Sequence, residues 1–306
     1  MAERPVVAVL GLGQTGASLA LGLRGCGLFS SVVGWDPDFD TARAGKRLKV
    51  ADRFVNSAPE AARHAALVFV ALRGDPLVET FTAIGPHLRP GAVACSIVEL
   101  HETASAVAAR TLPANVSFLN VDPIPWGEEA EKPDPARFRK GMWCISPLAT
   151  AHEDAVGFVA QVGETLGMEP FFLDAREHDA LGTGLKLLPA VLAAAQMRIA
   201  SGQPSWREMR RLAGGAFRRA TAPAGDAPEE QQGAVAGTRE HLVRWLDLLL
   251  AELGQLRDAL NDGQEPADYF ESAHLARAKW LSGRDLPAEA ADLPTVETGA
   301  RRRFPF

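Results

Sequence analysis

The chain has little of what marks a secreted, membrane-spanning or nucleic-acid-binding protein. Only three cysteines occur in 306 residues. Cys26, Cys95 and Cys144 are far apart in apolar surroundings, which excludes a disulfide framework and reads as reduced core thiols of a cytoplasmic protein. No run of about eighteen uncharged apolar residues is present, so no membrane-spanning segment is expected. The first apolar strand begins by Val6, and we expect no signal peptide ahead of it. The net charge is −6, and no stripe of Lys and Arg runs along a helix, so no nucleic-acid partner is expected. Arg301-Arg302-Arg303 reads as a solvated end. No His, Cys, Asp or Glu grouping has metal-ligand spacing, so no metal is expected. What remains is 47% apolar and 23% charged, a composition suited to a soluble globular protein of two domains.

The N-terminus carries the strongest signal. An apolar run, Val6 to Leu10, leads into Gly11-Leu12-Gly13-Gln14-Thr15-Gly16 and an Ala/Leu-rich helix. A second strand, Ser31 to Trp35, then ends on Asp36, twenty residues beyond Gly16. Gly11 permits a tight turn, Gly13 lets backbone approach a pyrophosphate, and Gly16 lets helix and strand pack closely. The helix N-terminus offers unpaired N–H groups to the phosphates. Asp36 is placed to accept from the adenosine ribose hydroxyls, and its charge disfavours a 2′-phosphate, so NAD is the expected cofactor.

Strands and helices keep alternating. Strands are expected over 66–72, 91–97, 116–121, 142–146 and 169–173, with helices between them and a Pro/Glu-rich loop over 122–139. This predicts an α/β protein with an N-terminal, doubly wound, Rossmann-type, mostly parallel sheet, followed by a C-terminal all-helical domain. The expected division is 1–174 for the dinucleotide-binding domain and 175–283 for a helical substrate and dimerisation domain, with a disordered tail over 284–306. Residues 222–237 read as a loop or weak helix. Leu242, Leu246, Leu249, Leu253, Leu256 and Leu260 form a seam that calls for a partner helix, either 266–281 folded back or a second subunit.

From Val6 to about Leu260 the chain resembles the prephenate/arogenate dehydrogenase family. The resemblance rests on residues 11–20, on His87-Leu88-Arg89-Pro90-Gly91-Ala92 and on Phe138-Arg139-Lys140-Gly141-Met142-Trp143-Cys144-Ile145-Ser146-Pro147. Glu177-His178-Asp179 and Leu188-Pro189-Ala190-Val191-Leu192-Ala193 continue it. The resemblance implies an NAD(P) domain, a helical dimerisation domain, an active site in the cleft, and a homodimer. It also implies hydride transfer from a ring alcohol to the cofactor while a histidine takes the hydroxyl proton. At that histidine's position this chain has Asp122, within Asn120-Val121-Asp122-Pro123-Ile124. The family's orienting serine falls at Glu99, a histidine pair falls at Lys186 to Ala190, and the substrate-binding arginine falls near Ala222, close to Arg218 and Arg219. Gly182-Thr183-Gly184-Leu185-Lys186 is also similar to a β-hydroxyacid dehydrogenase segment in which a lysine moves the substrate proton.

The candidate catalytic residues are therefore Asp122 and Lys186. Asp122 is read either as a base tuned by burial or as the start of the Pro-rich loop, and Lys186 either as a buried acid–base or as a solvated side chain. Gly11 to Gly16, Asp36, Leu72 and Arg73 are expected at the cofactor, and Ser96, Glu99 and Arg218 at a small-molecule substrate. Trp126 and Trp143 are read as cleft walls or core. His101 is expected at the surface and His178 at a helix-capping and packing position. His64, His87, His152, His241 and His274 are expected exposed and unpartnered. Two other readings stay open: a dehydrogenase or reductase for a different small hydroxy or carbonyl substrate, and a non-catalytic NAD-binding relative.

Overall fold

Valine-rich runs bounded by Gly, Pro and Asp make the strands. The computed structural model describes residues 4–125 and 132–283. Eight strands form one sheet: β1 Val6–Leu10, β2 Ser31–Trp35, β3 Arg53–Phe54, β4 Leu67–Val70, β5 Val93–Ile97, β6 Ser117–Ile124, β7 Met142–Pro147 and β8 Glu169–Phe172. Their order is β3-β2-β1-β4-β5-β6-β7-β8. Every pairing is parallel except β6 with β7. Among the described residues the connection between the two strands holds only the short turn Pro135–Phe138, and an antiparallel pair needs no crossover helix. Sequence order runs away from β1 on both sides, so the crevice at the carboxyl ends of β1 and β4 is a topological switch point.

Thirteen helices are described: α1 Gln14–Gly25, α2 Phe39–Leu48, α3 Ala58–Ala62, α4 Gly74–Ile84, α5 His101–Thr111, α6 Glu153–Thr165, α7 Ala175–Gly182, α8 Leu188–Ser201, α9 Trp206–Leu212, α10 Gly215–Ala220, α11 Pro228–Gly237, α12 Arg239–Asn261 and α13 Ala267–Gly283. The sheet is covered on both faces, so β1, β4 and β5 carry almost wholly buried side chains. On one face Leu77, Phe81 and Ile84 of α4 pack with Val107 of α5 and Phe118 of β6. The Phe81 and Phe118 rings meet edge to face, with centroids 5.6 Å apart, an arrangement their quadrupoles favour.

Several local features differ from the sequence expectations. Residues 36–65 hold α2, β3 and α3, which the hydrophobic pattern alone did not reveal. Side-chain caps mark two of these elements: Asp38 accepts from the Thr41 N–H and Ser57 from the Glu60 N–H. β6 runs to Ile124, so Asp122 and Pro123 are strand residues rather than the opening of a loop. Pro123 pairs across to Trp143 on β7. Residues 228–237 are helical, with proline at the start of α11.

α7 and α8 form one helical run, Ala175–Ser201, interrupted by a single wide turn, Thr183–Leu187, in which the Leu188 N–H reaches back to the Thr183 carbonyl. Among the described residues this run alone is long and apolar enough to cross a membrane. Of its titratable residues, His178 and Asp179 are buried against the sheet and Lys186 reaches Asp122, while Arg176, Glu177 and Arg198 are exposed. A first compact unit ends at Leu242, and a second begins at Val243. In the second unit the leucine seam is partly open: Leu253 and Leu260 are 46% and 52% exposed, while Leu246, Leu249 and Leu256 are half-buried. The expected tail, 284–306, lies outside the described residues.

Candidate active site

The glycine loop leaves β1 and enters α1 at the switch point. Gly11 has φ +97°, and a Cβ there would overlap the Ala71 carbonyl. A Cβ on Gly16 would overlap the Gly11 carbonyl. Gly13 is the reverse case: nothing lies within 4 Å of the place its Cβ would take. It caps α1 without a side chain, so the first-turn N–H groups face open space. The Asp36 carboxylate, at the end of β2, accepts the N–H groups of Leu12 and Asp38. Those bonds fix its orientation and leave lone pairs for ribose hydroxyls. Burial raises its pKa against those two bonds. Leu72 follows β4 beside Gly11, and Arg73 caps α4 with an exposed side chain. This cradle fits a dinucleotide.

A second set of groups gathers beyond β5, where four elements meet. Asp122 on β6 is nearly buried, and Lys186 donates to its Oδ2 at 2.7 Å. His178 Nε2 lies 3.3 Å from the same oxygen, and its Nδ1 lies 3.1 Å from Asp179 Oδ1. Asp179 also accepts the backbone N–H groups of His101 and Glu102 at 2.8 and 2.9 Å, so a residue of α7 caps α5. The His101 ring stacks on His178, 3.5 Å between centroids and 8° from parallel, and its Nδ1 meets Ser146 Oγ at 2.7 Å. Its Nε2 is buried without a hydrogen-bond partner. At the outer edge Glu99 pairs with Arg73 at 3.3 Å and stands 3.9 Å from Lys186.

The wide turn explains why Lys186 joins this cluster. His178 and Lys186 are eight residues apart, a spacing that a regular helix would turn by about 80°. One extra residue in the turn makes the interval act as seven steps, which returns the lysine to within about 20° of the histidine.

The electrostatics divide the group by role. Burial alone would raise the Asp122 pKa, but the His178 hydrogen bond and the Lys186 charge hold it far below the usual carboxylate range. Burial opposes charge on Lys186 too, yet the Asp122 and Glu99 carboxylates outweigh it and raise its pKa. Likewise His178 is raised against burial by Asp122 and Asp179. His101 has no such carboxylate bond; burial, then the neighbouring His178 charge, lower it to about 3. The cluster therefore favours the carboxylate at Asp122, the ammonium at Lys186 and a retained proton on His178, with a neutral His101 imidazole stacked beside them.

Several sequence expectations need correction. His101 is fully buried rather than at the surface. His178 does not cap α7, since Asp174 does so; it is buried within the charge cluster. His241 is not unpartnered, because its Nε2 lies 3.4 Å from Glu102. Lys186 is neither buried nor simply solvated: its side chain is 38% exposed and held by Asp122. Asp122 is a strand residue whose Oδ2 meets both Lys186 and His178. Ser96 is buried and donates to Asn120 Oδ1 at 2.6 Å, so its hydroxyl is committed to the interior. Arg218 sits exposed on α10, and no hydrogen bond or ion pair joins it to this cluster among the described residues. Trp143 is core, donating to the Val159 carbonyl, and Trp126 lies outside the described residues.

His101, His178 and Asp179 place ligand-type atoms within 4.8 Å of one another, a grouping the sequence spacing hid. They do not suit a metal ion. The in-plane lone pairs of two stacked rings lie in parallel planes and cannot converge on one ion, and both His178 nitrogens already face carboxylates. The adjacent His-Asp pair on an apolar helix was the available signal for the buried cluster. Cys95 and Cys144 are buried thiols whose pKa values burial raises, Cys144 to about 12, so both are inert at neutral pH.

A family profile described as NADP oxidoreductase, coenzyme F420-dependent, matches residues 6–99. Cyclohexadienyl dehydrogenase of Zymomonas mobilis is 23% identical over 287 residues, covering 92% of this chain and 97% of that protein. Arogenate dehydrogenase of Synechocystis superposes with a TM-score of 0.76 at 20% identity, covering 90% of this chain and 99% of the other. Prephenate dehydrogenase of A. aeolicus, in complex with hydroxyphenyl propionate and NAD+, superposes with a TM-score of 0.79 at 17% identity, covering 90% and 98%. The chain shares the fold of the arogenate and prephenate dehydrogenases. The resemblance seen in its motifs therefore extends through the helices.

Proposed function

We propose that this protein is an NAD-dependent oxidoreductase of the prephenate/arogenate dehydrogenase type, acting on a small hydroxy or carbonyl acid. The glycine loop and Asp36 hold the dinucleotide at the switch point, and bound NAD supplies or takes the hydride. The observation that carries the chemistry is the half-exposed Lys186 ammonium seated on Asp122. As the ammonium, Lys186 gives its proton to a reacting carbonyl oxygen. In the alcohol-oxidising direction it first releases that proton to solvent and then, as the amine, takes the hydroxyl proton. Asp122 keeps the ammonium charged and aimed. Arg73, close to Glu99 and Lys186, is placed to meet a substrate carboxylate.

The exposed seam leucines Leu253 and Leu260, together with Leu185 and Ile199 exposed on the 175–201 run, support a homodimer built through the helices from Ala175 onward. Three free cysteines suit a reducing, cytoplasmic setting.

The test is NADH formation by purified protein with prephenate and with arogenate, and NADH consumption with small 2-oxo acids, after NAD binding is confirmed. Turnover that falls at least about a hundredfold in Lys186→Met, with NAD affinity kept, supports the assignment. Tight NAD binding without turnover on any of these would leave the non-catalytic reading.

A further inference from the structure

His178 is buried, and its hydrogen bonds run to Asp122 and Asp179 rather than to the glycine loop. Its Nε2 faces Asp122 at 3.3 Å and its Nδ1 faces Asp179 at 3.1 Å. Both nitrogens therefore meet carboxylate oxygens, an arrangement satisfied only when both carry protons. The Asp122 oxygen that it reaches is the one that holds Lys186 at 2.7 Å. One carboxylate oxygen thus stands between two cationic side chains carried on the same helical run.

We infer that His178 is a positioning residue for Lys186: as imidazolium it shares the Asp122 charge and so sets how tightly Lys186 keeps its proton. This rests on the reading of Lys186 as the proton carrier. The charged and titratable groups around His178 are few. Asp122 faces it from β6, Asp179 from its own helix, Lys186 from the wide turn, and His101 from α5. His101 is neutral and supplies a flat, apolar ring face rather than a charge. Asp179 is committed to the α5 N-terminus, so it orients the imidazolium and is not free to turn toward Lys186. The Asp122–Lys186 couple is then the one adjustable link. A protonated His178 draws on Asp122 and weakens its hold on the ammonium, making Lys186 the better acid. A neutral His178 leaves Asp122 to Lys186 alone and makes it the weaker one.

The experiment uses full-length protein labelled at lysine Cε and at histidine ring carbons. The six lysines and seven histidines can be assigned by single substitutions, and both sets titrated by NMR with and without NAD. In the native protein His178 is expected to titrate above an ordinary imidazole. In Lys186→Met it should move higher still, and in His178→Gln the Lys186 midpoint should rise, each by about one pH unit. Where a substrate is turned over, the alkaline limb of kcat moves with Lys186, and KM for the cofactor stays put.

An unshifted Lys186 midpoint in His178→Gln, or a native His178 titrating at or below the ordinary value, overturns the inference. Should His178→Gln fail to fold, the native titration and Lys186→Met decide alone. Reciprocal shifts without turnover on any substrate would uphold the coupling while sinking the function assigned to Lys186, so the two failures are distinguishable.

Discussion

The cofactor cradle and the charge cluster are built by opposite means. The cradle comes from residues 11–36, one βαβ unit, and its working parts are backbone N–H groups, absent side chains and a single carboxylate. The cluster draws on β6, α5, α7 and a wide helical turn, with contacts spanning up to 78 positions in sequence. Its working parts are side chains that neutralise one another. Local backbone geometry survives divergence because three glycines suffice to specify it. A buried charge set survives only as a whole, since each partner removed leaves another charge uncompensated.

Breaking the cradle should give the largest effect and also split folding from binding. Gly16→Ala drives a methyl into the Gly11 carbonyl; a loss of roughly 3 kcal/mol in stability and NAD affinity below detection by calorimetry are expected. Gly13→Ala meets open space. Its melting temperature should stay within about 1 °C of the native value while NAD affinity drops about tenfold or more, roughly 1.4 kcal/mol. Equal thermal losses in the two variants would mean that the open space at Gly13 is not reserved for a ligand.

Breaking the cluster tests whether its parts depend on one another. Asp122→Asn leaves the His178 and Lys186 cations facing a neutral amide. Denaturant unfolding should show a loss of about 3 kcal/mol, and adding Lys186→Met should restore part of it. Strict additivity of the two substitutions would show that the contact carries no coupling.

The remaining prediction is the most specific to charge. His101 has its folded pKa lowered to about 3, so the unfolded chain binds its proton first as pH falls. Stability linked to it is complete above about pH 6.5 and is lost progressively toward pH 3. His178 has the opposite sign: raised when folded, its contribution is complete below about pH 6.5 and is lost as pH rises through the folded value. Melting temperature followed from pH 8 to pH 4 should fall on the acid side, and His101→Asn should flatten that fall. An unchanged acid slope would place the sensitivity elsewhere.

The sequence by itself determined the sheet, the dinucleotide crevice and the candidates Asp36, Asp122 and Lys186. Valine-rich strands, glycine turns and an acid at the end of β2 act over short stretches, so their spacing is their structure. It also pointed to Glu99 and Arg73 near the site, but it did not show that they pair. Tertiary structure alone decided that His101 and His178 are buried and stacked and that Asp179 caps a helix 78 positions away. It likewise decided that Lys186 rejoins His178 through one extra residue in a turn. Such facts escape a sequence reading because burial inverts what a histidine or carboxylate ordinarily does. The partner that makes each charge tolerable in a low dielectric comes from another element, at no fixed spacing along the chain.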